Sequence, residues 1–376
     1  MVDRGVTLAE IARVDMNIDV SFPPDALRSL SKEEIFNRIV TAKRELSGSL
    51  FILGHHYQRD EVFNFADSTG DSFLLSKTAA KSDAKLIVFC GVHFMAETAD
   101  IVSSREQKVF LPNIEAGCSL ADMADIEQVD SAFTKLNEIT GERHIPITYI
   151  NSKVSLKAFC GRNGGIVCTS SNAQRALEWA WEQGERVIFF PDQHLGRNSA
   201  HKMGVSPDRI ITWDSTKPLG GNSEESVRQS KLVLWEGFCD VHMQFFREGI
   251  DALRERYPDI KIIVHPECRF NVAQSADYMG STEQIIRAVK DSPSGSKWAV
   301  GTESHMVDRL AKQCSDKLVI SLSKEPVFCP TMSIIEPVHL MYQLENLAKG
   351  NLINRVVVEE TLKSDALTAI NRMLEL

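Results

Sequence analysis

Eight short apolar runs recur along the chain, and they restrict its fold more than any other feature. They are SLFILG (49–54), KLIVFC (85–90), KVFLP (108–112), ITYI (147–150), RVIFF (186–190), KIIVH (261–265), KWAVG (297–301) and KLVIS (317–321). Each is too short for a helix and too uniformly apolar for a strand with one wet face. That pattern belongs to strands buried on both sides, as in a parallel sheet. Helical stretches such as NAQRALEWAWEQ (172–183) and STEQIIRAVKD (281–291) lie between them. The alternation predicts α/β layers joined by right-handed crossovers.

The ends of these runs align with one another. One kind of strand closes at His55, Asn151 and His265, and polar turns follow around Ser72, Ser170 and Thr282. A further strand then reaches Gly91, Pro191 and Gly301, and each series finishes at a cysteine: Cys118, Cys239 and Cys329. The first and third series agree in length to within one residue. The middle one is longer, by roughly the polar segment 214–232. Internal repetition of this kind predicts three pseudo-equivalent, small, parallel-sheet α/β (Rossmann-like) domains around a central active site. The expected boundaries are an N-terminal extension 1–32, a first unit 33–118 joined by a C-terminal helix within 350–376, a second unit 119–239 carrying the insert 214–232, and a third unit 240–349. The insert, rich in charge, glycine and proline, reads as an exposed elaboration.

Ligands of open parallel sheets bind beyond the carboxyl ends of the strands. His55, Asn151, His265 and the three cysteines are all assigned to that edge. Each cysteine also precedes a helical pattern: LADMADIEQVDSAF after Cys118, VHMQFFREGIDALRERY after Cys239, and a run opening with Pro330 after Cys329. A helix N-terminus favours a thiolate. Cys239 stands three residues before His242 with no second cysteine to complete a C-x-x-C pair. On residue type alone it is a metal ligand, a nucleophile or a small buried hydrophobe.

Composition narrows the functional classes. A formal net charge of −9 argues against nucleic-acid binding. No apolar run approaches the ~20 residues of a membrane-spanning helix. The acidic start MVDRGVTLAEIARVDMNIDV does not read as an export signal. A cytoplasmic protein is expected, with its eight cysteines reduced and most of them buried. Neither G-x-G-x-x-G nor a P-loop occurs, so no nucleotide cofactor is expected.

The ordered set GHHYQ, GDS, GVHFMAETA, CSL, YINS, TSSN, PDQHLGR, WEGFCDVH, HPE, GST and CPTM spans about 33–376, and in it the chain resembles the quinolinate synthase (quinolinate synthetase A) family. The resemblance implies condensation of iminoaspartate (iminosuccinate) with dihydroxyacetone phosphate to quinolinate, phosphate and water, in NAD biosynthesis. It also implies a [4Fe-4S] cluster held by Cys118, Cys239 and Cys329, with one iron left open to act as a Lewis acid. It places His55, Ser72, Tyr149, Asn151, Ser170, His265, Glu267 and Thr282 on the substrate. Glu267, Tyr57 and His265 fall to proton transfer, and His242 to the same cavity one helical turn beyond Cys239. Helix capping is the plainer reading of Ser72, Ser170 and Thr282, and the two roles are compatible. An L-aspartate oxidase or dehydrogenase would be a functional partner. Oligomeric state is left open.

Two rivals use the same residues. A zinc-dependent lyase or hydrolase would employ Cys239, His242 and His265. A non-catalytic iron–sulfur sensor would need the cysteines but not the polar residues gathered at the strand ends.

Overall fold

The computed structural model describes residues 19–376; of the expected extension 1–32, positions 1–18 lie outside the described residues. Strands and crossover helices follow one another from the first sheet onward. Helix α1 (Lys32–Glu45) starts at Ser31, whose hydroxyl accepts the Glu34 N–H at 3.2 Å, and buries Ile35, Ile39 and Ala42 along one stripe. It leads into β1 (Leu50–His55), β2 (Ser68–Gly70), α2 (Ser72–Lys81), β3 (Leu86–Cys90), α3 (His93–Val102) and β4 (Lys108–Phe110).

The second sheet comprises β5 (His144–Tyr149), β6 (Ile166–Cys168), β7 (Arg186–Phe190), β8 (Ile210–Trp213) and β9 (Leu232–Trp235). Helix α4 (Ile126–Thr140) precedes it, and α5 (Val154–Arg162), α6 (Ala173–Gln183) and α7 (Gln193–Lys202) form its crossovers. The third sheet comprises β10 (Lys261–Val264), β11 (Tyr278–Met279), β12 (Lys297–Gly301) and β13 (Leu318–Ser321), with α8 (Thr282–Lys290) leading into β12. Every residue of β5 and β9 is buried, as the apolar composition of doubly covered strands requires.

Pairing within each of the three repeats is parallel, and the strand order is the same: β2-β1-β3-β4, β6-β5-β7-β9 and β11-β10-β12-β13. The fold is therefore α/β with three like-ordered parallel sheets. In each, the second strand lies on one side of the first and the third strand on the other. The connections diverge there, so the carboxyl ends of β1/β3, β5/β7 and β10/β12 are topological switch points, where such sheets open a crevice.

The middle sheet departs by one added edge strand. β8 pairs parallel to β9, and 214–231 carries the chain back through a helix at Glu224–Gln229. The elaboration thus begins with a strand, at Ile210, and the expected limit of 232 takes in the first residue of β9. It is not wholly superficial, because Val227 is fully buried.

The closing segment follows a different course from the one expected. Helix α9 (Pro337–Ala348) packs on α1, where Arg38 grips Glu345 through two bonds of 2.7 and 2.8 Å, and β14 (Arg355–Val356) pairs antiparallel to β4. Helix α10 (Glu360–Glu375) instead packs on α5 and β6, burying Ala366, Ala369, Ile370 and Met373. The described chain accordingly forms two compact units. One runs to Cys118 and resumes at Cys329–Val358; the other is Ser119–Phe328 with Glu359–Leu376. So 329–349 belongs with the first sheet and not the third, and the last helix with the second sheet and not the first. Periodicity marks a helix as amphipathic without saying which face it meets.

Two outcomes follow from the packing. Helices α5 and α10 approach so closely at Gly161 that a Cβ there would fall on the Asp365 carbonyl oxygen. Gly161→Ala is expected to lower stability by about 1–3 kcal/mol, the usual cost of overpacking, seen as a lower urea midpoint at unchanged m-value. Burial, helped by Arg186, holds His144 down to about 4, and burial holds His339 down to about 4 against Glu336. An unfolded histidine titrates near ~6.5, so between those values the unfolded chain binds protons that the folded one excludes. Stability should be full above pH ~6.5 and fall as pH drops toward 4. Urea midpoints measured from pH 7 to 5 check this, and His144→Gln should flatten the slope.

Candidate functional site

The richest concentration of buried polar groups lies at the carboxyl edge of the third sheet. The His265 N–H extends the ladder to Gly301 O at 3.1 Å, and Asn198 on α7 holds the next turn by donating to both Pro266 O and Cys268 O at 2.8 Å. That turn aims Glu267, 2% exposed, inward. Its Oε2 lies 2.6 Å from His242 Nδ1 and 3.5 Å from His265 Nδ1, and the two imidazoles stack at 4.3 Å and 14°. The Tyr149 hydroxyl, arriving from β5, also bonds the carboxylate.

The protonation states diverge. Burial above all, with His242 alongside, pushes His265 down to about 3, so at neutral pH it is a neutral imidazole. Its Nδ1 accepts the Glu267 N–H at 3.4 Å, which puts its own proton on Nε2. Burial opposes ionisation of Glu267, yet the histidines and the bonds from His242 and Tyr149 prevail and hold it near 2.

A second buried carboxyl behaves oppositely. Asp192, fully buried at the end of β7, is pushed well up, first by burial and then by Glu267. The two enclosed carboxyls are thus pushed in opposite directions, Glu267 down and Asp192 up. Asp192 was not among the residues expected at the site, although PDQH places it at a strand end beside a switch point. Its Oδ1 accepts the Leu195 N–H at 2.8 Å as the cap of α7, and that ordinary duty conceals the other.

The hydroxyl turns are built alike. Asp71 caps α2 through the Leu74 N–H, and Ser281 caps α8 through the Gln284 N–H. Ser72 and Thr282 are the first helical residues after those caps, so the capping role expected of their hydroxyls falls to their neighbours. Thr282 Oγ1 is buried and makes no hydrogen bond. Ser171 donates to Ser281 at 2.9 Å and joins two of the turns, and beside that link Ser170 lines a cavity of about 160 Å³ together with Arg175, Lys202 and Gln284. Two cations and two helix N-termini make it suited to a carboxylate or phosphate. Asn151 Oδ1 is likewise buried without a partner, and the fully buried Lys157 anchors the adjoining turn by donating to Ser152 O at 2.5 Å.

In the first unit, the Tyr57 N–H donates to His55 Nδ1 at 3.2 Å and the two rings meet edge to face at 4.8 Å. Gln58 bonds Met332 O, Arg59 bonds Ser333 O, and Asn113 bonds Ile334 O. The strand-end loop with His55 and Tyr57 and the loop leading to Cys118 are therefore both fastened to the turn that follows Cys329.

Long helices after the cysteines are not found. Cys118 precedes the four-residue helix Ser119–Asp122, Cys329 precedes Pro330–Ser333, and Cys239 leads into a 3-10 turn at His242–Gln244 before the helix Arg247–Arg256. The extended Phe245 backbone breaks the expected run. Helix dipoles contribute little over single turns, so they give the thiolates less support than the sequence suggested. Accessibility separates the cysteines instead. Cys118, Cys239 and Cys329 are half-buried, and the other five are buried. Cys239, His242 and Glu267 also offer ligand atoms within 4.8 Å of one another. His265, expected as the third member of a zinc set, takes a place beside this group, not in it.

A family model described as Quinolinate synthetase A protein matches residues 37–375. The quinolinate synthase of Acidobacterium capsulatum is 48% identical over 356 residues, covering 94% of this chain and 95% of the relative. That of Streptomyces coelicolor is 48% identical over 358 residues, covering 94% and 91%. The one from Rhodopirellula baltica is 49% identical over 370 residues, covering 95% and 94%. Among the described residues, no helix is long and apolar enough to cross a membrane.

The cysteine division has a direct readout. Burial raises the thiols of Cys90, Cys160, Cys168 and Cys268, so they are both shielded and poorly ionised. Iodoacetamide applied to metal-free native protein should modify Cys118, Cys239 and Cys329 first, as peptide mass analysis would show. Early labelling of Cys160 or Cys268 would contradict the assignment.

Proposed function

The chain belongs to the quinolinate synthetase A family, and from that membership we propose that it condenses iminoaspartate with dihydroxyacetone phosphate to quinolinate, phosphate and water in the formation of NAD. We further propose a [4Fe-4S] cluster ligated by Cys118, Cys239 and Cys329. The observation that carries this reading is that the three cysteines matching the family's pattern are the three half-buried thiols of the eight. Thiolates suit such a cluster, and three of them leave one iron free to polarise a substrate oxygen or nitrogen.

The chain's own residues account for the rest. Isomerising the triose, forming the imine and losing two waters require protons to be removed and returned in turn. Glu267, ionised at neutral pH, removes one, and the Tyr149 hydroxyl bonded to it returns one. His265 donates from Nε2 while neutral, and so polarises an oxygen without giving up a full charge. Tyr57 serves as an additional acid and His55 as a substrate contact. Ser72, Asn151, Ser170 and Thr282 hold carboxylate or phosphate oxygens, supported by the charge of Arg175 and Lys202. An aspartate-oxidising enzyme, whether oxidase or dehydrogenase, would supply the imine.

A sensor has no use for Glu267, His265 and Tyr149 gathered in one buried polar pocket, and that disfavours the non-catalytic reading. A zinc lyase or hydrolase remains distinguishable by metal and acid-labile sulfide analysis of anaerobically prepared protein. Zinc without sulfide, in protein that still takes up no iron and sulfide after the zinc is chelated away, would overturn the cluster assignment.

Glu267→Gln separates chemistry from cofactor assembly, because it keeps the size and hydrogen bonding of the side chain and removes its charge. The expected result is unchanged cluster absorption, retained substrate binding and quinolinate formation slower by about 10²–10⁴-fold. Near-normal turnover would exclude Glu267 from proton transfer.

A further inference from the structure

We propose that Cys239, His242 and Glu267 form a binding site for a single divalent zinc-like cation when the protein carries no cluster, and that this ion and the cluster exclude each other through Cys239. The inference rests on the reading above only for the exclusion; the cation site itself stands on geometry.

The donors are one thiol sulfur, one imidazole nitrogen and one carboxylate oxygen, the mixed set that zinc accepts and that open zinc sites use in threes. All three ligand atoms lie within 4.8 Å of one another with no metal to gather them. Separate segments supply them: the loop after β9, the 3-10 turn, and the turn after β10. Asn198 holds the Glu267 turn from behind, so little ordering is left for the ion to induce.

Two further observations point to a cation. Glu267 Oε1, on a side chain 2% exposed, accepts no hydrogen bond, a costly state for a carboxylate oxygen unless a ligand completes it. His242 Nε2 lies 3.2 Å from Thr302 Oγ1. Metal-binding imidazoles are held in this way, by an oxygen on the far ring nitrogen. The Thr302 hydroxyl both donates and accepts, so it serves either tautomer. When Nδ1 takes the ion, the ring proton resides on Nε2 and Thr302 accepts it. The Cys239 thiol releases one proton to solvent as its sulfur binds. Half-exposure of Cys239 gives the ion a route in. A fourth position is left for water.

Cys239 is the one donor that both the ion and the cluster require. Zinc-loaded protein therefore cannot assemble the cluster until zinc is removed, whereas Glu267 and His242 matter to zinc and not to the cluster.

Cluster-free full-length chain, prepared anaerobically, is titrated with zinc chloride against a chromophoric chelator. In parallel, iron and sulfide reconstitution is run with and without one equivalent of zinc. The wild type should bind one zinc, and that equivalent should suppress reconstitution. Glu267→Gln and His242→Asn should each weaken zinc by at least about 10–100-fold, the loss typical even of groups one shell further out, while reconstituting normally despite the added zinc. Cys118→Ser should keep full zinc affinity and form no cluster. Cys239→Ser should lose both. Far-UV circular dichroism confirms the fold of each variant, and the near-isosteric Glu267→Gln keeps the test decisive if another fails to fold. Absence of stoichiometric zinc binding, wild-type zinc affinity in Glu267→Gln, or loss of zinc in folded Cys118→Ser would overturn the proposal. Wild-type protein that binds zinc as described but never a cluster would overturn the cluster reading and leave the cation site standing. A cluster without zinc binding would do the reverse.

Discussion

Everything in this molecule follows from strands that are apolar on both faces. Such a strand cannot pair through a tight hairpin and leave one side to water; it needs helices above and below, and so a long crossover to the next strand. Crossovers make neighbouring strands parallel, and parallel strands finish at one common edge. Chemistry-bearing residues placed just after the strands are thereby delivered to that edge without any further device. His55, Tyr149, Asn151, His265 and Glu267 differ in chemistry but owe their positions to the same rule, since each stands at the end of the first strand of its repeat.

Within that frame, the buried site depends on unlike environments for like groups. Glu267 and Asp192 are both enclosed carboxyls, and the company of His265, His242 and Tyr149 holds the first down while burial and Glu267 push the second up. Asp192 rises because a second buried charge would be expensive without a partner. His265, held down by burial, serves the pocket as an orientable donor and not as a charge.

The strands legible in the sequence were those with evident apolar runs, the edge strand β13 among them, whereas the interior β9 was not picked out. All eight apolar runs are strands, because their burial is written in composition. The short edge strands β2, β6, β11 and β14 were not legible. STG and YM contain too little apolar surface to stand out, and an edge position asks for no more. β8 (IITW), short but apolar, was missed as well, and with it the true beginning of the middle insert. The fate of the closing helices was hidden for a different reason: α9 and α10 have similar amphipathic patterns, and which unit each covers is decided by shape, such as the bare backbone at Gly161. At the site, the strand-end rule located most candidate residues. It missed Asp192, whose helix-capping role is the ordinary explanation for an aspartate there, and it could not reveal that Glu267 rather than His265 stands with Cys239 and His242.

The division of the closing segment also sets an order of events in synthesis. The first sheet exposes an unpaired β4 edge and an uncovered α1 until 329–358 arrives, and the second sheet lacks the cover of α10 until 359–376 has been made. Emerging N-terminal sequence can form local strands and helices on the ribosome, but neither unit can close there early. Cys329 belongs to the part that comes late. The cluster proposed for Cys118, Cys239 and Cys329 would then be completed only after residue 329 has been made.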